Sequence, residues 1–289
     1  MSGAQPPWPL SAILAFTPWV LVPSVAALVL AVLTRTRPAV AAALVVTVVL
    51  TAVVVPRAWG GQDSRDGAPL RVMTANLRIG GADAATVVEL VRTNRVDLLA
   101  IQEFTSQARA NLSRAGLDTL LAYHVDDAEP LAIGSALYAR LPLTDGSFPV
   151  GAGGFVEATA TLQLRDLPPL KVRSVHPCAP FTARHEECWL RGLDREPRAS
   201  PKGLPSLLMG DFNATLDHPP LRRLIGSGYR DAADATGYGL VPTWPADLVP
   251  VATLDHVLVD SRIGVRAVSV HRLPGSDHRA VIAVLAVPR

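Results

Sequence analysis

The stretch LLMGDFNAT, residues 207–215, reads as a buried strand that stops at a glycine and then delivers two polar side chains. An apolar run of this kind, bounded by a turn residue, fits a strand covered on both faces. Asp211 and Asn213 are two apart and leave the strand end on the same side, where together they can hold a water or a phosphate oxygen. The alternative reading is an Asx-turn, in which the aspartate only caps its own loop.

Working outward from this stretch, other apolar runs end in polar residues in the same way. LRVMTANL (70–77) carries Asn76, and VDLLAIQEF (96–104) ends in Glu103. A carboxylate that terminates a buried strand must be paired, solvated or bound to a metal, because burying its charge alone is costly. LKVRSVH (170–176) ends in His176, and the following Pro177 keeps that residue extended. TLDHVLV (253–259) contains Asp255, and GSDHRAV carries Asp277 and His278 ahead of the apolar AVIAVLAV (280–287). In two nearby Asp-His dipeptides, one aspartate can orient an imidazole while the other supplies a metal ligand.

SALYA (135–139) and FVEATATLQL (155–164) complete the strand candidates, the latter with the period of two expected of a sheet with one buried face. Between the first two strands Asp83 can cap a helix running to about Asn94, with Val87, Leu90 and Val91 on one face. A further helix is expected after Phe104. Strands of both kinds with helices between them predict an α/β sandwich of two packed sheets covered by helices.

The 289-residue chain is 49% hydrophobic, and much of that excess lies before residue 56. Leu10 to Leu33 and Ala39 to Val55 carry no charge, and each is long enough, with tilt or thinning, to cross a hydrocarbon core of about 30 Å. They read as a transmembrane hairpin, with Pro18 and Pro23 kinking its first helix and Trp8, Trp19 and Trp59 near the interfaces. No Lys or Arg precedes residue 35, which argues against a cleaved signal peptide. The expected organisation is a hairpin over 1–59, a polar Gly-rich linker over 60–69, and a catalytic domain over 70–289. Arg35 and Arg37 in the short connecting loop favour a cytoplasmic loop and an extracytoplasmic catalytic domain. In that compartment Cys178 and Cys188, the only cysteines, could form a disulfide or remain as two thiols.

The net charge is +2, and the basic residues are scattered, which offers no electrostatic footprint for nucleic acid. The expected partners are the bilayer and a phosphorylated lipid, with nucleic acid as the less favoured alternative and no protein partner.

The ordered series Asn76, QE (102–103), GSALYARLPL (134–143), SVH (174–176), GDFNA (210–214), LDHV (254–257) and GSDH (275–278) resembles the endonuclease/exonuclease/phosphatase superfamily. The resemblance implies a four-layer α/β/β/α, DNase I-like sandwich and a Mg²⁺ or Mn²⁺ cofactor. It implies Glu103 as the main metal ligand, with Asn76 and Asp277 nearby. Asp211 and Asn213 would position or activate the attacking water, His278 oriented by Asp255 would act in proton transfer or stabilise the phosphorus, and His176 would hold the scissile phosphate. DNase-like members support the middle histidine with a further acid, for which Asp126, Asp127 and Glu129 are the candidates. The hairpin, HPCAP (176–180), Trp189 and PTWP (242–245) are similar to membrane-anchored bacterial members linked to teicoplanin resistance. For those the resemblance implies removal of phosphate from undecaprenyl pyrophosphate.

Overall fold

The computed structural model describes residues 5–61, 63 and 65–289, so Gln62 and Ser64 of the expected linker and the first four residues of the expected hairpin segment lie outside the described residues. Two six-stranded sheets form the centre. The strands are β1 (Ala68–Asn76), β2 (Leu98–Gln102), β3 (Tyr123–Asp127), β4 (Ser135–Ala139), β5 (Leu143–Ser147), β6 (Thr159–Leu162), β7 (Leu170–Val175), β8 (Ser206–Asp211), β9 (Tyr229–Asp231), β10 (Asp255–Asp260), β11 (Gly264–Arg272) and β12 (Arg279–Val287). One sheet has the order β11-β12-β1-β2-β4-β3, the other β5-β6-β7-β8-β10-β9.

Both faces of each sheet are covered, which is why the central strands read as nearly continuous apolar runs. Val72, Leu98, Leu137, Leu207, Met209 and Val257 meet between the sheets in one dry core. The alternate residues Met73, Leu99 and Ile101 pack outward on the helices Ala84–Thr93 and Ser106–Arg114. On the far side Trp189, Leu193, Phe212 and Leu221 form a third core under the helices Ala183–Arg195 and Pro219–Ile225. This is the α/β/β/α sandwich expected. The first helix begins where Asp83 accepts from Thr86 N–H at 2.9 Å, an N-cap that satisfies one of its free donors.

Two expectations are corrected. The strand expected over 155–164 is confined to Thr159–Leu162, because Glu157 turns inward to Arg173 and the period of two fails there. Four strands were not anticipated, β3, β5, β9 and β11, and all four are sheet edges.

Ahead of the sandwich stand two apolar helices, Leu10–Leu33 and Arg37–Ala58, long and apolar enough to cross a membrane. A 3₁₀ turn at Leu14–Phe16 interrupts the first, just before Thr17 and Pro18. Most of their side chains face outward: Val22 is 71% exposed, Leu30 62% and Val45 63%. Between the helices Thr47 Oγ1 donates to Ser24 O at 3.2 Å, a polar link within an otherwise apolar contact.

The hairpin is fastened to the sandwich by Arg57, whose guanidinium makes two 2.7 Å bonds to the carboxylate of Asp217. Both side chains are buried. Removing one partner of such a pair leaves an uncompensated charge, whereas replacing both with apolar residues is often neutral. Asp217→Ala is therefore expected to lower stability by about 3 kcal/mol, and Arg57→Met with Asp217→Leu to recover most of that loss, measured by denaturant unfolding in detergent.

Candidate active site

Every polar strand-end residue singled out in the sequence lies at or beside one end of the two sheets, and Asp211 is the meeting point. Gly210 sets its position. Its φ is +157°, and a Cβ there would stand 2.0 Å from Val175 O, so only glycine lets β8 run this close to β7. Asp211 Oδ2 accepts from Asn76 Nδ2 at 3.2 Å, which joins the first sheet to the second. His278 Nε2 lies 3.5 Å from the same oxygen and His176 Nε2 3.8 Å from it.

Glu103 approaches from the other side of Asn76, accepting from Asn76 Nδ2 at 3.0 Å and from Ile79 N–H at 2.7 Å. Its φ of +56° turns the carboxylate out of the line of β2. Arg78, Ile79 and Asn213 also have positive φ, so four non-glycine residues at this end occupy the left-handed region. Such positions cost on the order of 1–3 kcal/mol each and persist only where the surroundings enforce them. Here the enforcing contacts include Asn76 Oδ1 accepting from Arg78 N–H at 2.9 Å and Asp211 Oδ1 accepting from Asn213 N–H at 2.8 Å.

The latter contact is the Asx-turn alternative, and it coexists with the cleft position of Asp211. The Asn213 amide donates to Pro177 O at 3.0 Å, tying the GDFNA turn to the loop after His176 and leaving its Oδ1 for water or substrate. Cys178 and Cys188 are joined in a disulfide that closes this loop on the helix Ala183–Arg195. From that helix Trp189 Nε1 donates to Phe212 O at 3.1 Å.

The two Asp-His dipeptides diverge. Asp255 Oδ2 pairs with His278 Nδ1 at 2.9 Å. His256, one residue on and therefore on the opposite face of β10, is bonded to Asp231 at 2.7 Å and to Ala214 O at 2.8 Å, which makes it a buried support of the turn. Burial pulls the His278 imidazole down, but the facing charges of Asp255 and Asp211 outweigh it and push it to about 10. Burial pushes the Asp211 carboxyl up, against the charges of His278 and His176. His176 is driven down, chiefly by burial.

Asp277 stands at the rim, accepting from Trp244 Nε1 at 3.3 Å with Arg78 Nε 3.8 Å away. Among the described residues no hydrogen bond joins it to Asn76 or Glu103. None of the three candidate acids hydrogen-bonds the His176 imidazole, whose Nδ1 is buried without a partner among the described residues. Asp126 pairs with Arg109, Asp127 lies in β3, and Glu129 N–H bonds to Phe104 O. Glu157 accepts from the backbone N–H of His176 at 3.3 Å while pairing with Arg173, which also reaches Glu196. Burial pushes both of these carboxyls up, Glu196 the further.

Arg78, Trp244, Glu157 and Ser276 were missed in the sequence. Ser276 had a readable signal in GSDH: its Oγ donates to Asn76 O at 2.8 Å and accepts from His278 N–H at 3.0 Å.

The donor set suits a hard divalent cation. Glu103, Asp277, Asp211 and Asp255 supply carboxylate oxygens at one end of the sheets, and Asp255 Oδ1 is buried without a hydrogen-bond partner. Asp211, Asp255 and His278 offer three ligand atoms within 4.8 Å of one another. His278 Nδ1 is already engaged by Asp255, and the Glu103 carboxylate is more open than that of Asp211, 16% against 2% exposed, so the Glu103 side is the better seat for the ion.

The endonuclease/exonuclease/phosphatase family profile matches residues 73–278, and the chain belongs to this family. Its members are hydrolytic phosphoesterases and nucleases, typically dependent on a divalent metal. No curated protein matches the chain. Among solved structures, a Beutenbergia cavernae endonuclease/exonuclease/phosphatase is similar over 76% of this chain and 72% of its own, at 20% identity and a TM-score of 0.60. An Enterococcus faecalis conserved protein of unknown function is 16% identical, covering 75% of this chain and all of its own, with a TM-score of 0.58. D. rerio TDP2, complexed with a single-stranded DNA product, is 12% identical over 76% of this chain and 100% of its own, with a TM-score of 0.56. At these identities the structural likeness establishes the fold alone.

In the metal-free protein His278 is expected to remain an imidazolium from neutral pH to near its pKa of about 10. Its folded pKa exceeds the unfolded value of about 6.5, so its contribution to stability is complete below that value and is lost as pH rises through about 10. Imidazole nitrogen shifts followed by NMR should show this plateau, and Asp255→Asn should move the titration down.

Proposed function

We propose that the chain is a metal-dependent phosphohydrolase that acts at a membrane on the pyrophosphate of a polyprenyl lipid carrier. The observation that supports it is the joining of a family-type hydrolytic site to two helices whose apolar side chains face outward along most of their length. An exposed apolar surface of this extent is covered in a working protein, and a bilayer suits two helices of this length. In this reading the hairpin is multi-pass and the catalytic domain lies outside the cytoplasm, where the Cys178–Cys188 disulfide is chemically at home.

Glu103, with Asn76 bonded to it, would hold Mg²⁺ or Mn²⁺, and Asp277 would contribute from the rim. When bound, such an ion neutralises charge on the phosphoryl oxygens. Asp211 accepts the proton of the attacking water, a task suited to a carboxyl raised by burial. Asn213 orients that water through its free Oδ1. His278, held by Asp255, donates a charged hydrogen bond to the phosphoryl oxygen that gains negative charge. His176 Nε2, 3.9 Å from Glu103 and 3.8 Å from Asp211, faces the same space and holds the phosphate.

A tethered enzyme meets a lipid phosphate in two dimensions, whereas a nuclease needs a basic surface that the scattered arginines do not suggest. The nuclease reading draws on one observation, the likeness in fold to TDP2, a protein seen with a DNA product.

Phosphate release by the full chain in detergent with Mg²⁺ should occur with undecaprenyl pyrophosphate and not with duplex DNA. It should stop on chelation and fall by about 100-fold or more in Asp211→Ala and in His278→Ala. DNA cleavage without lipid turnover would replace this reading with the nuclease.

A further inference from the structure

The first apolar helix does not stand clear of the sandwich. Trp8 N–H donates to Glu186 Oε2 at 2.8 Å, His218 Nε2 is 3.1 Å from Ser11 O, and Trp19 Nε1 donates to Val251 O at 2.7 Å. Beside these anchor points lies a cavity of about 230 Å³. Ala15, Trp19 and Val22 wall it on the helix side, and Leu240 and Val251 on the domain side. The Arg57–Asp217 pair forms a polar part of its lining.

Three features select its occupant. Val22, which lines the cavity, is itself 71% exposed, so the cavity borders the outward apolar face of the hairpin. The domain wall is made of the segments that enter the catalytic cluster: Thr215 follows Asp211 on the GDFNA turn, and Thr253 leads into Asp255. Between Leu240 and Thr253 the chain also carries Trp244, bonded to Asp277, and the exposed apolar pair Leu248 and Val249, close in sequence to the residue that Trp19 holds. An apolar loop tip on a segment fastened to a membrane-type helix belongs at the bilayer surface.

We propose that this cavity receives the head-proximal part of the apolar chain of a phosphorylated membrane lipid, so that its phosphate is led along the 240–253 segment to Asp211 and His278. The inference rests on the lipid reading above and adds where the chain is bound. Small-molecule pockets commonly span about 300–1,000 Å³, so this one takes a segment of chain while the remainder stays in the bilayer. Its burial there is apolar and non-directional, which favours length and hydrocarbon character over any one headgroup.

The test uses the full chain in phospholipid nanodiscs. A polyprenyl pyrophosphate with a photoreactive diazirine in its first isoprenoid unit, added to metal-free protein, should label peptides containing Ala15 to Val22 or Leu240 to Val251. Label confined to the outer faces, Val25 to Leu33 and Val45 to Val53, would overturn the proposal. In a second measurement, Ala15→Phe and Val22→Trp should each lower the ratio of kcat/KM for undecaprenyl pyrophosphate over isopentenyl pyrophosphate by about tenfold, which is about 1.4 kcal/mol. The ratio cancels any general loss of folded enzyme. An unchanged ratio in an active variant would overturn the cavity and leave the lipid reading standing, whereas wild-type protein that releases no phosphate from either prenyl substrate would refute both.

Discussion

A buried carboxylate that must be compensated from two sheets at once is the constraint on which this site depends. Asp211 ends a strand of one sheet with 2% exposure; Asn213 N–H on its own turn serves Oδ1, but the groups facing Oδ2 come from the other sheet, Asn76 from β1 and His278 from just before β12. Neither sheet alone could stabilise it. A second link lies deeper, where Gln102 Nε2 donates to Ser174 Oγ at 2.9 Å and its Oε1 accepts from Thr74. The sheets are thus registered by polar bonds as well as by the dry core between them, and the register is what brings Glu103 and Asp211 to a shared Asn76. Buried polar links of this kind favour one arrangement, because an alternative register leaves their donors and acceptors unpaired.

Around this centre the backbone is held in unfavourable conformations. Glu103, Arg78, Ile79 and Asn213 all sit at positive φ, and each is fixed by a hydrogen bond to a site side chain or by a neighbouring turn. The helices outside each sheet and the tie from Trp189 to Phe212 supply the rigidity that sustains them. Preorganised donors around developing phosphate charge do not have to reorient during reaction, the condition under which they are most effective.

The central strands were legible because both their faces are buried and their ends carry chemistry. β1, β2, β7, β8, β10 and β12 all coincide with apolar runs that close on, or sit beside, a polar site residue, and β4 with a wholly buried run. The four edge strands were not, and each has a physical reason. β3 is YHVDD and β5 is LTDGS, polar because an edge faces water; β9 has three residues; β11 has a bulge between Val265 and Ala267 that breaks its alternation. At the site, residues within local motifs could be found, since Asp211, Asp255 and His278 stand in recognisable strings. Glu157 could not. It lies in a segment whose period of two signals only a half-buried strand, and the tertiary placement of Arg173 and Glu196 explains why a carboxylate is buried there. Nor could spacing tell that Asp255 would serve the site while His256 would serve the turn; the pleat decides that, and its phase depends on where β10 begins.

The metal seat is the part of the site that most directly carries the chemical account. Binding of Mn²⁺ to the metal-free full chain, followed by electron paramagnetic resonance, separates the two candidate donor sets without relying on turnover. Mn²⁺ binding that is lost in Glu103→Gln and retained in His278→Gln is the predicted result, with the ion on the Glu103 side and His278 left to act on phosphate. Binding that survives Glu103→Gln and disappears in His278→Gln would put the ion among Asp211, Asp255 and His278, and would contradict the roles argued for all four residues.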